Sequence, residues 1–136
     1  MGRVFFNTRE NVVALTGAYT VLASDSGSIF TLDSAGGAYE IDLPTTLESG
    51  MNFKFVVKEN TPTADITIDA GSAIIDFVMK DAGGNASNST AGTAKRYIVL
   101  HTECTKGDYV NLWTDGSTWY GEAMSAIDDA IDHTAQ

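Results

Sequence analysis

Short runs of alternating apolar and polar residues recur along this chain, separated by clusters of Gly, Ser, Asn and Asp. Successive side chains of a β-strand point to opposite faces, so a period of two is the mark of a half-buried strand. In residues 39–43, Tyr39, Ile41 and Leu43 fall on one face and Glu40 and Asp42 on the other; Pro44, which cannot donate to a ladder, ends the run. Residues 51–57 carry the strongest pattern, with Met51, Phe53, Phe55 and Val57 opposed to Asn52 and Lys54. Further strands are predicted over 19–22, 29–32, 66–70, 74–79, 96–101, 108–113 and 117–120, and residues 74–79 are apolar on both faces, as a central strand would be. Many short strands joined by tight turns predict an all-β domain, an antiparallel β-sandwich or jelly-roll-like module. The module spans residues 17–122, behind an N-terminal arm over 1–16 and ahead of a tail over 123–136.

The tail is expected to hold a short helix, because Ile127 and Ile131 are four apart and would share a helical face, with Asp128, Asp129 and Asp132 turned away. Residues 81–93 are Gly, Asn, Ser, Ala and Thr with no large apolar anchor and predict a loop, or a tongue lying on a neighbour. No internal repeat at a solenoid period is visible.

Composition narrows the function. A chain of 136 residues is the size of one domain, and its hydrophobic fraction of 43% against 19% charged residues is that of a folded one. The formal net charge of -10 opposes any grip on nucleic acid, which needs clustered Lys and Arg, and opposes adhesion to anionic membranes. No apolar run approaches membrane-spanning length, and neither a secretory leader nor a myristoylation signal is legible at the N-terminus. The asparagines of Asn85-Ala86-Ser87 and Asn88-Ser89-Thr90 match a glycosylation pattern that, without such a leader, is read as coincidence.

Candidate chemistry is sparse. The single Cys104 excludes an internal disulfide, and His101, three residues away, would face the other side of a strand. His133 is the only other group that titrates near neutrality unperturbed. Neither histidine has a metal-ligand spacing to the cysteine, and residues 81–85 lack the alternating acids and closing Glu of a calcium loop. No catalytic residue, metal or cofactor is therefore expected, and the chain reads as a non-enzyme.

The most informative segment is residues 108–122. Asp115-Gly116 is a hairpin-turn dipeptide, and a two-residue loop would set Leu112 opposite Trp119 and Trp113 opposite Thr118. Val110, Leu112 and Trp119 then share a core face. Tyr109, Trp113 and Tyr120 share the other, among Asn111, Thr118 and Glu122. Mixed aromatic and polar surface suits a protein interface, a second core layer or a sugar-stacking platform. The arm offers a second candidate interface: Arg3 and Arg9 stand against the acidic charge of the chain, with Phe5 and Phe6 between them.

The order of these elements carries a resemblance. Tyr19-Thr20-Val21-Leu22, Ile29-Phe30-Thr31-Leu32-Asp33, Tyr39-Glu40-Ile41-Asp42-Leu43-Pro44, Gly50-Met51-Asn52-Phe53-Lys54-Phe55-Val56, Gly107-Asp108-Tyr109-Val110 and Asp115-Gly116-Ser117-Thr118-Trp119-Tyr120 together resemble the small β modules of tailed bacteriophages, used as capsid decoration (cement) proteins and in head or tail fibres. The resemblance covers about Tyr19 to Glu122 and brings no catalytic residues. It implies a structural virion protein, made in the host cytoplasm, commonly a homotrimer, that binds the major capsid protein on the capsid exterior and stabilises the shell. The arm would clamp an acidic, apolar capsid groove. The alternative it leaves open is a fibre or collar module that binds a host surface glycan.

Overall fold

A computed structural model describes residues 9–73, 75–82, 86–88 and 95–135, the strand at 86–88 by its backbone. The protein is all-β. Its strands are β1 (Val12–Leu15), β2 (Tyr19–Thr20), β3 (Ile29–Leu32), β4 (Tyr39–Asp42), β5 (Asn52–Val57), β6 (Ile66–Asp69), β7 (Ile75–Lys80), β8 (Ala86–Asn88), β9 (Tyr97–Leu100), β10 (Tyr109–Thr114), β11 (Trp119–Met124) and β12 (Ile131–Thr134). They form a seven-stranded sheet in the order β1-β3-β5-β10-β11-β7-β8 and a five-stranded sheet in the order β12-β9-β6-β4-β2.

The first six strands alternate between the sheets. β1, β3 and β5 lie side by side and parallel in one, and β2, β4 and β6 lie side by side and parallel in the other. The chain therefore winds in stacked coils through residue 69, and β11 with β7 is again a parallel pair. This corrects the antiparallel and jelly-roll expectation, since half of the strand pairings among the described residues are parallel. Before β7 the turns between strands carry the chain across from one sheet to the other. Gly27, at φ +86°, makes one such corner, and its N–H donates to the carbonyl of Asn52 at 2.8 Å, fastening one coil to the next. The coil starts, at residues 12, 29 and 52, are unequally spaced, so the winding leaves no sequence period.

Both sheets turn their alternate apolar residues onto one cluster. Phe30 stacks on Phe55 at 5.2 Å and Phe53 meets Trp119 at 5.8 Å within the larger sheet. Tyr19 against Phe30 and Phe77 against His133 join the two sheets. Gly121 sits opposite Leu112, and a Cβ there would fall 2.5 Å from Leu112 and 2.8 Å from Phe77. Its missing side chain is the space those two occupy.

Both ends of the described chain belong to the sheets. β1 lies inside the expected arm and β12 inside the expected tail. The C-terminal helix is absent: Ser125 donates to the Ile127 carbonyl at 2.6 Å, Asp129 takes φ 56°, and the chain turns into β12. Ile131 and His133 are buried with Asp132 exposed between them, a strand period, whereas Ile127 is exposed. Packing against the core overrides the weak four-residue helical signal. Part of the expected 81–93 loop is the edge strand β8, antiparallel to β7; the rest of it beyond Ala82 lies outside the described residues.

Candidate docking surface

The hairpin β10–β11 places the aromatic residues. Its loop has four residues, 115–118, so Thr114 faces Trp119, Trp113 faces Tyr120 and Leu112 faces Gly121. That register is shifted by two from the expected one. A shift of two preserves the faces, where a shift of one would invert them. Val110, Leu112 and Trp119 are buried, and Tyr109, Trp113 and Tyr120 lie on the outer face. Trp113 and Tyr120, now directly opposite, stack with centroids 4.5 Å apart and planes at 21°.

Asp115 builds the loop beneath them. One carboxylate oxygen accepts from the Ser117 N–H at 2.8 Å, the Ser117 hydroxyl at 2.8 Å and the Thr118 N–H at 2.9 Å. The backbone bonds from Ser117 and Thr118 do most to hold this carboxyl down at about 2. Its other oxygen accepts from the Tyr120 hydroxyl at 3.2 Å, which raises the phenol above its ordinary range and fixes the ring against Trp113.

Neighbouring strands extend the surface. One cross-strand row runs Val12, Ile29, Lys54, Asn111, Glu122, Val78, and another joins Val56, Tyr109, Met124 and Lys80. The Asn111 amide donates to Glu122 at 3.0 Å, and the Lys54 ammonium sits 4.9 Å over the Tyr109 ring. Val12, Val78, Trp113 and Met124 are 59%, 53%, 51% and 46% exposed; they are four of the six large apolar side chains exposed among the described residues, and all lie on this face. A groove of about 320 Å³ follows the first row, from Glu10 past Ile29, Lys54 and Asn111 to Glu122, with Trp113 on its flank.

Of the residues expected at an interface, Tyr109, Trp113 and Tyr120 are thus brought together. Arg9 is exposed where the described chain begins, and Arg3, Phe5 and Phe6 lie outside the described residues. Sequence reasoning missed Val12, Val78 and Met124. Val78 carries a signal, a run apolar on both faces, but such a run points to burial; Val12 and Met124 fall within the expected arm and tail.

The outer face of the smaller sheet is acidic. Glu40, Asp42 and Asp69 bring carboxylate oxygens within 4.8 Å of one another, as do Asp81, Asp128 and Asp129 elsewhere, and among the described residues these are the groups that could hold a cation. Arg96 already pairs with Asp69 at 2.9 Å. Burial, then the charges of Asp69 and Asp42, raise the Glu40 carboxyl. His101 is held at both ring nitrogens, 3.1 Å from Asp65 and 3.1 Å from Asp132. Burial pulls its pKa down, but the bonds to Asp132 and Asp65 outweigh it and raise it. With both nitrogens engaged, the ring ties β12 to the loop before β6 and offers no free base. Cys104 is buried in a turn after β9, its thiol donating to the Ala130 carbonyl at 3.1 Å; burial pushes it up to about 12, far from a nucleophile's range.

A comparison of the chain with the models of known protein families finds no match, and neither does a comparison with curated proteins.

Proposed function

We propose that this protein is a structural virion component, a capsid decoration protein that docks the outer face of its seven-stranded sheet onto the major capsid protein and reinforces the phage head. The observation that carries the reading is the concentration of Val12, Val78, Trp113 and Met124 on that one face. Apolar and aromatic side chains interleaved with polar ones on one rigid face are the mixture found where a surface meets another protein. Lys54, Asn111 and Glu122 lie between Val12 and Val78 in one row, and Lys80 lies beside Met124 in another. The two sheets are read as the layers of a β-sandwich, rigid enough to present the face without ordering it on contact. A ligand that binds only the assembled lattice stabilises the lattice by mass action. In this reading the protein acts as a homotrimer, is not an enzyme and needs no cofactor.

The test is assembly of phage heads with the wild-type chain or with Trp113→Ser combined with Met124→Ser. The expected result is wild-type decoration at hundreds of copies, on the order set by a repeating lattice, and its loss in the variant together with a lower temperature of DNA release. Full decoration by the variant overturns the reading. A second reading, a fibre or collar module, draws on the near-parallel rings of Trp113 and Tyr120, which could stack on a host glycan. Binding on a glycan array that disappears with Trp113→Ser would favour it.

A further inference from the structure

We propose that the cavity at the C-terminal ends of β2, β4 and β6 is a docking site for an arginine carried on an extended segment of a basic partner protein. These three strands run parallel in the smaller sheet, so the chain leaves all of them at the same end. The segments that follow, residues 21–23 and 43–46 with Glu48 and Gly71, wall a cavity of about 440 Å³, and the cross-strand row Thr20, Asp42 and Asp69 lines it as well. Leu22, in the first wall, is 56% exposed; among the described residues it is one of two large apolar side chains exposed away from the sheet face that bears Trp113. Its turn is fixed, because the Asp25 carboxylate accepts from the Leu22 N–H at 2.9 Å and from the Tyr19 hydroxyl at 3.3 Å. A wall held in place spares an incoming segment the cost of ordering it.

Charge complementarity identifies the occupant. Asp42, Glu48 and Asp69 line the cavity, and among the described residues no Lys or Arg does. The same row shows how one of its acids is satisfied. Arg96 sets its guanidinium 2.9 Å from Asp69 and 4.4 Å over the ring of Tyr97, the residue opposite Asp69 on β9. Asp42, next in the row, and Glu40 have no ion pair among the described residues, although their oxygens lie within 4.8 Å of each other and of Asp69. A second guanidinium suits that place: its planar fork can bridge carboxylates, and its methylene stem can lie along Leu22 and Pro44. The cavity exceeds one side chain and is in the range that takes a small ligand. From Thr20 to Asp69 is two strand spacings, about 10 Å, or about three residues of extended chain. A second copy of this chain is a poor source, since 8 Lys and Arg against 18 Asp and Glu leave it few cations to offer.

The inference is independent of the proposed function, because the cavity belongs to the other sheet, and its test needs no phage head. The probe is the blocked peptide N-acetyl-Leu-Arg-Leu-amide, titrated into the isotopically labelled full chain at about 0.15 M salt, where long-range attraction is screened. The expected result is saturable shifts at the amides of residues 20–23, 45–48 and 71. The same peptide with citrulline for arginine keeps the shape without the charge and should bind about tenfold more weakly. Asp42→Asn should weaken binding about tenfold and Leu22→Ser about fivefold. Asp128→Asn, which removes an equal charge from the other acidic group, should change it less than about twofold. Unshifted core amides establish that each variant is folded. The proposal is overturned if no saturable shift is reached by about 10 mM peptide, or if the citrulline peptide binds equally well. Equal losses from Asp42→Asn and Asp128→Asn would also overturn it, by reducing the effect to net charge. So would calcium ion that shifts these amides while the peptide does not, which would assign the acids to a metal.

Discussion

Acidification should unfasten β12 through His133. This side chain is 8% exposed and packs on Phe77 with ring centroids 5.1 Å apart; among the described residues neither ring nitrogen has a hydrogen-bond partner. Burial, then the nearby Lys95 ammonium, push it down from 6.5 to about 4, against the weaker pull of the Lys95 backbone, which lies too poorly aligned for a full hydrogen bond, and of Asp76. Between pH 6.5 and 4 the unfolded chain thus binds a proton that the folded chain refuses, so stability falls as pH falls through that window. Integrated to pH 4, the loss is about 3 kcal/mol, a large share of an ordinary domain's stability. His101 does not mask it: its pKa is raised, so its contribution is fully present below 6.5 and fades only as pH rises through its higher folded value. Urea unfolding of wild type and His133→Leu at one protein concentration, at pH 7 and pH 4, isolates the effect. Leu has no nitrogens to leave unpaired, so the variant should be no less stable at pH 7 and should gain about 3 kcal/mol on wild type by pH 4. A difference between the two proteins that is the same at both pH values would refute the reasoning.

Gly121→Ala should destabilise by about 1–3 kcal/mol, because the new methyl collides with Leu112 and Phe77 inside a filled core. Adding Leu112→Ala should cost less than the two single changes together, and strict additivity in urea unfolding would show that the glycine is not making that space. Cys104 should resist a thiol reagent at pH 8 in the native protein and react at once in denaturant; rapid native labelling would contradict its burial. Asp115→Ala should bring the Tyr120 phenol back toward its ordinary range in an ultraviolet pH titration, and an unchanged titration would mean that Asp115 does not hold that hydroxyl.

The alternation of side chains was legible from sequence wherever one face of a strand is buried. Residues 39–43 and 51–57 fold as that pattern says, and Tyr109, Trp113 and Tyr120 share the face it assigns them even though the hairpin register differs by two. What was not legible is which strand lies beside which. A turn such as Asp25-Ser26-Gly27 looks the same whether the chain folds back or crosses to the other sheet, since only local dihedrals are written in it. The docking face was half visible for the same reason. Its hairpin residues are local to one another, whereas Val12 and Val78 join them through pairings of distant segments. The tail failed because Ile131 and His133 take their places from the core they meet, and a four-residue spacing is a weak signal against that.

The strand order of the larger sheet has a consequence for how the molecule assembles. Strands β1, β3 and β5 form one block and β7 with β8 another, and the hairpin β10–β11 is hydrogen-bonded between them, antiparallel to β5 on one side and parallel to β7 on the other. On the ribosome both blocks emerge before the hairpin does, each with an inner edge of unpaired backbone groups. In the folded sheet the hairpin covers both edges. The segment that bears the exposed indole is thus the keystone of the sheet, and a chain that stops short of it keeps two sticky edges and no docking face at all.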